Sequence, residues 1–177
     1  SDVTALQPGD YTTASGTLTF GGANPLTQTI TVPILNSATI VEPVENYTVD
    51  LSGLSANSQA VTILDVQGLG TINDLTTATL SIDDAAVIED AGNAVFTVTL
   101  STAVQNNISV SYTTTDGTAL QPGDYTAESG NLTFGGANPL TQTITVPIIN
   151  DLLIEPDEAY TVDLSGLLAN SQAVTIT

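Results

Sequence analysis

Residues 151–158, reading DLLIEPDE, place four carboxylates, Asp151, Glu155, Asp157 and Glu158, within eight positions. The chain has 19 acidic residues and no Lys, Arg or His, so no basic side chain can neutralise them. Clustered like charges repel one another and favour protonation unless a counterion joins them. Carboxylate oxygens gathered on a loop suit a hard divalent cation such as Ca²⁺, which accepts about six to eight oxygen ligands. On either side of this stretch the sequence alternates apolar and polar residues, which makes the acids a loop between two strands of a β-sandwich.

The loop is one half of a repeat. ALQPGDYT begins at Ala5 and again at Ala119, 114 residues later, and LTFGGANPLTQTITVPI recurs from Leu18 and Leu132 at the same spacing. YTVDLSGL begins at Tyr47 and Tyr160, 113 residues apart, so the first copy carries one extra residue in NSATIVEP, a slip that belongs in a loop. A period this long suits tandem copies of a whole domain rather than turns of a solenoid. The chain opens inside one copy and closes inside the next, as an excerpt of a longer array would.

Composition excludes most chemistry. Without His or Cys there is no Ser-His-Asp or Cys-His nucleophile, no thiolate metal site and no disulfide. Without Lys or Arg there is no cationic phosphate clamp, no Schiff base and no isopeptide cross-link. A net charge of −19 repels nucleic acid and anionic lipid headgroups. No apolar run is long enough for a membrane span. The chain offers trypsin-like proteases no cleavage site, which suits a secreted or cell-surface protein, and an extracellular location is expected.

The elements that must position the acids read as short strands. QPGDYT supplies a Pro-Gly turn in each copy, and Asp10 and Asp124 are read as turn residues that accept nearby backbone amides. Leu18 to Phe20 and Gln28 to Ile34 read as strands, the second with Ile30, Val32 and Ile34 on one face. Tyr47 to Leu51, Ala60 to Leu64 and Gly68 to Ile72 follow. In the second copy Val95 to Leu100 places Phe96, Val98 and Leu100 on one face, and Ile108, Val110 and Tyr112 do the same in the next strand. Strands about ten residues apart, with turn signals between them and no helical period, predict an all-β antiparallel sandwich.

Residues 116–165, with the DGTA turn, GDYT, the TQTITVPI strand and the NDLLIEPDEAYTV unit in that order, resemble the Calx-beta domain. That family occurs in the regulatory region of sodium-calcium exchangers and in tandem within large bacterial surface proteins. The resemblance implies an immunoglobulin-like sandwich of seven strands, A to G. Residues 1–77 would be the C-terminal part of a first repeat without its opening strands. Residues 78–177 would be a second repeat without its last strand, for which GLGTIND at 68–74 is the template. It further implies a Ca²⁺ site formed by the A-B, C-D and E-F loops and the end of strand G. In the second repeat its ligands would be Glu89, Asp90, Asp116, Asp151, Glu155, Asp157 and Glu158. The first repeat has Ser37 in place of Asp151 and Val44 in place of Asp157. Asp2, Glu42, Glu45, Asn73 and Asp74 remain there, and with Asp83 and Asp84 at the junction they would make a weaker site.

The expected function is that of a structural or adhesive repeat module, a stalk or filament segment stiffened by Ca²⁺, and not an enzyme. Its partners would be Ca²⁺ and neighbouring repeats or identical chains, joined by strand complementation at the open edges. Nucleic acid and direct membrane insertion are not expected. The alternatives are a calcium-sensing regulatory module or a carboxylate-dependent glycosidase. The second is disfavoured because the acids lie in one loop cluster and few aromatics are present to line a sugar site.

Overall fold

The computed structural model describes residues 1–36, 38–151 and 153–177, so Ser37, aligned above with Asp151, lies outside the described residues. Its strands are β1 (Ile40–Val41), β2 (Glu45–Asp50), β3 (Gln67–Ile72), β4 (Ala78–Ile82), β5 (Asn93–Leu100), β6 (Ala103–Val104), β7 (Ile108–Thr115), β8 (Ser129–Phe134), β9 (Thr141–Pro147), β10 (Thr161–Leu168) and β11 (Val174–Ile176). Among the described residues the helical element is a single 3₁₀ turn at Glu89–Ala91, and no helix is long and apolar enough to cross a membrane. The chain divides into two compact units. Unit 1 contains residues 1–36 and Val44–Asp74, and unit 2 contains Ala38–Pro43 and Leu75–Thr177.

Unit 2 is the sandwich. One sheet runs β11-β4-β5-β9 and the other β10-β7-β8. The period of two decides which side chains go inside. Along β5, Ala94, Phe96, Val98 and Leu100 are buried. They meet Ile108 and Val110 of β7, Leu132 and Phe134 of β8, and Ile144 and Val146 of β9 in one apolar core. Antiparallel ladders fix the register, with Phe96 opposite Ile144 and Val110 opposite Leu132. Two pairings depart from a purely antiparallel pattern: β11 runs parallel to β4, and β1 runs parallel to β6.

In unit 1, β2 and β3 form an antiparallel pair, with Tyr47 opposite Gly70, so GLGTI makes the closing strand beside β2 as expected. The stretches 18–20 and 28–34 were expected to be strands, yet they enter no ladder apart from a bridge between Tyr11 and Ile34. Their counterparts in unit 2, β8 and β9, pair with β7 and β5. Unit 1 has no equivalent of those two strands, and a strand cannot satisfy its backbone groups without a neighbour. The same reasoning covers Ala60 to Leu64, another expected strand that is unpaired. Its counterpart β11 is a strand only because β4 lies beside it.

Candidate metal centre

Three loops of unit 2 converge at one end of the sandwich, and backbone hydrogen bonds hold them there. The bridge between Tyr125 and Ile148, with Ile149 N donating to Asp124 O at 2.9 Å, ties the QPGD turn to the start of the 148–160 loop. Ile148 N also donates to Gly92 O at 3.1 Å, which brings in the 83–92 loop. Asn150 Nδ2 donates to Asp90 Oδ1 at 2.8 Å and reinforces this contact. At its far end the 148–160 loop is clamped by Ala159 N donating to Thr118 Oγ1 at 2.8 Å and by Ala119 N donating to Ala159 O at 3.0 Å. Gly117 lies so close to this clamp that a Cβ there would be 2.3 Å from Ala159 O.

At the meeting point the carboxylates of Asp124, Glu155 and Glu158 each present an oxygen within 4.8 Å of the other two. Two oxygens on opposite sides of a Ca²⁺ ion are about 4.6 to 5.2 Å apart, given Ca–O distances of about 2.3 to 2.6 Å. The spacing therefore fits three ligands of one ion. Partial desolvation, then the charges of Asp151, Asp124 and Glu89, raises the Glu155 carboxyl above the usual carboxylate range. Glu158 is raised as well, by desolvation first and then by the charge of Asp124, a hydrogen bond shared with it, and the charges of Glu155 and Glu89. Two acids held above their ordinary values mark a site where negative charge is in excess. A divalent cation removes that excess without a proton.

The residues expected from the sequence separate into several groups. Glu155 and Glu158 form the centre, and Glu89 and Asp151 lie close enough for their charges to act on it. Asp151 Oδ1 also accepts Leu153 N at 2.6 Å. Asp157 is exposed and outside the three-carboxylate group, and Asp90 holds Asn150. Asp116 Oδ1 accepts the Tyr125 hydroxyl at 2.5 Å and Gln121 N at 3.2 Å. In unit 1, Asp2 accepts the Tyr11 hydroxyl at 2.5 Å, Glu45 is buried at the start of β2, and Asn73 and Asp74 follow β3. Glu42 sits in the segment that belongs to unit 2 and accepts Gln105 Nε2 at 3.5 Å. Asp83 accepts Thr97 N at 2.5 Å, and Asp84 is exposed in the next loop position. Among the described residues these acids form no second group of three within ligand distance of one another.

Asp124 was not among the expected ligands. The turn role read from the sequence is real, since Leu120 N donates to its Oδ2 at 2.6 Å, just as Leu6 N donates to Asp10 in unit 1. The Asp124 carboxylate takes part in the acid cluster as well. The available signal was that Asp124 stands immediately before Tyr125, the residue that pairs with Ile148 at the start of the acidic loop.

The Calx-beta domain family matches residues 1–75 and 71–177. Among solved structures, the apo form of the Calx CBD1 domain is similar at 23% identity and a TM-score of 0.52, over 57% of this chain and 88% of that one. The Calx CBD2 domain is similar at 22% identity with a TM-score of 0.46, over 50% of this chain and 56% of that one. No curated protein sequence matches the chain. With the fold seen in unit 2 and two successive matches that together span the sequence, the chain belongs to the Calx-beta domain family.

Proposed function

We propose that this chain is a Ca²⁺-binding structural segment of a secreted or cell-surface protein, an adhesive stalk or filament piece built from tandem Calx-beta repeats and stiffened by the ion. The observation that carries the reading is the convergence of Asp124, Glu155 and Glu158 in a chain with no basic side chain. Those three would hold the ion, with Glu89 and Asp151 as the nearest further carboxylates. The ion would supply the missing countercharge and draw the three loops together. The tandem duplication and the lack of trypsin sites support an extended extracellular role.

Calorimetric titration of the EGTA-treated chain with Ca²⁺ tests this. Uptake is expected at millimolar concentration or below, with a rise in melting temperature, because an ion that binds only the folded state stabilises it by mass action. Paired Glu155→Gln and Glu158→Gln substitutions should weaken uptake at least tenfold. No uptake at millimolar Ca²⁺ overturns the ion site, and mobility of the two units that is the same with and without EGTA overturns the stiffening role.

A further inference from the structure

Val41 and Ile154 hold the same place in the repeat and opposite environments. Counting back from the Glu-Pro pair, Glu42-Pro43 matches Glu155-Pro156, Val41 matches Ile154, and Ile40 matches Leu153. Val41 has 0% exposure and packs in the core of unit 2 with Val104. Its strand β1 lies parallel to β6, with Ile40 opposite Ala103 and Val41 opposite Val104, and Gln105 N donates to Val41 O at 2.9 Å. Ile154 is 103% exposed and Leu153 67%. The same apolar pair of the same loop is thus paired at a β-edge in one copy, with Val41 buried and Ile40 half-buried, and held in solvent in the other.

We propose that Leu153–Ile154 is a docking arm for another Calx-beta unit, which receives it on the edge that in unit 2 is Ala103–Val104. The occupant follows from the pairing of β1 with β6. An Ala-Val edge beside the apolar core takes a two-residue apolar strand from a loop of this repeat, adding main-chain hydrogen bonds to side-chain burial. In this chain β1 already fills that edge, which leaves Leu153–Ile154 available to a unit whose edge is open. Arm and receiving unit are both acidic, so the docking strengthens as salt screens their repulsion.

The test uses the full chain with Val41→Asp, which expels β1 from the edge, and Val41→Ala as a milder release should aspartate in the core prevent folding. A peptide of residues 149–157 is titrated in EGTA, so the result does not depend on Ca²⁺ uptake, and amide resonances are followed. Expected are shifts centred on Ala103, Val104 and Gln105, binding at least tenfold tighter than that of the same peptide with Ile154→Asp, and tighter binding at higher salt. Unmoved resonances at those three residues in the folded variant, or equal binding of the two peptides, overturn the proposal.

Discussion

Tyr125 donates its hydroxyl hydrogen to Asp116 Oδ1 at 2.5 Å, and Tyr11, 114 residues earlier, donates to Asp2 Oδ1 at the same distance. The tyrosine of GDYT is therefore a strut in both repeats, spanning from the turn to an aspartate 9 residues earlier. Tyr125 is fully buried and stacks on Tyr160, with ring centroids 4.3 Å apart, while Tyr11 stacks on Tyr47 at 4.7 Å. Asp116 thus works in the frame of the acid cluster, holding the turn that carries Asp124.

Replacing Tyr125 with Phe keeps the ring and removes the donor. A lost hydrogen bond to a charged acceptor costs about 1.5 to 3 kcal/mol. The wild type also carries a pH signature at this group. Desolvation first, then the bond to Asp116, pushes the Tyr125 hydroxyl up to about 12 from an ordinary 10.0. A pKa raised in the folded state gives stability that is complete below pH 10 and is lost as pH climbs towards 12, because the unfolded chain ionises first. Alkaline unfolding monitored between those values should be steeper for wild type than for Tyr125→Phe.

The acid cluster predicts the opposite end of the scale. Glu155 and Glu158 are raised above the ordinary value of 4.5, so in the metal-free chain the folded state holds their protons more tightly than the unfolded state. Stability from these groups is present below 4.5 and is lost as pH rises through and above that value. Asp2 is lowered, chiefly by its bond from Tyr11, and Asp50 chiefly by its bond from Gln67, so both withdraw stability as pH falls below 3.8. Unit 2 without metal should melt higher near pH 5 than at pH 7, and saturating Ca²⁺ should shrink or reverse that difference. Melting curves in EGTA and in Ca²⁺ at the two values provide the check.

The loop clamp predicts a long-range effect from a small substitution. A Cβ on Gly117 would lie 2.3 Å from the Ala159 carbonyl oxygen, a backbone atom that cannot swing aside. Gly117→Ala should therefore displace the 148–160 loop where it leaves the cluster, at a cost of about 1 to 3 kcal/mol. Ca²⁺ affinity should fall severalfold although no ligand has changed, and titration calorimetry on the variant measures it. Gly16→Ala is the control: no atom lies within 4 Å of its added Cβ and its backbone is outside the left-handed region, so Ca²⁺ affinity should stay unchanged.

How much of this was legible depends on whether a residue's role is local. The period of two placed Phe96, Val98 and Leu100 on one face of a strand, and their burial confirms it. The acidic loop was legible from the four carboxylates of DLLIEPDE, of which Glu155 and Glu158 stand in the cluster. Asp124 was not, because one carboxylate serves both a turn and the cluster, and only the local role shows in the order of residues. The docking of Val41 was hidden for a related reason. Its partner Val104 lies 63 positions away in the next repeat, and no pattern within NSATIVEP distinguishes it from the solvent-held Ile154.

The sharpest case is a pair of identical segments, and it carries the last prediction. TQTITVPI occurs at 27–34 and 141–148, yet Ile144 is 2% exposed while Ile30 is 45% exposed. Phe134 and Phe20, from the two copies of LTFGG, differ in the same direction, at 0% and 55%. Local propensity is equal within each pair, so the difference comes from β5 and β7, which cover Ile144 and Phe134 and have no counterpart in unit 1. Truncating a buried Ile to Ala costs about 2 to 5 kcal/mol, and a surface change about 0.5 kcal/mol or less. Ile144→Ala should therefore lower the melting of unit 2 by many degrees while Ile30→Ala leaves unit 1 nearly unmoved, each followed by resonances within its own unit because a two-unit chain has no single transition. Equal losses from the two substitutions would show that neighbouring strands cover Ile30 in solution.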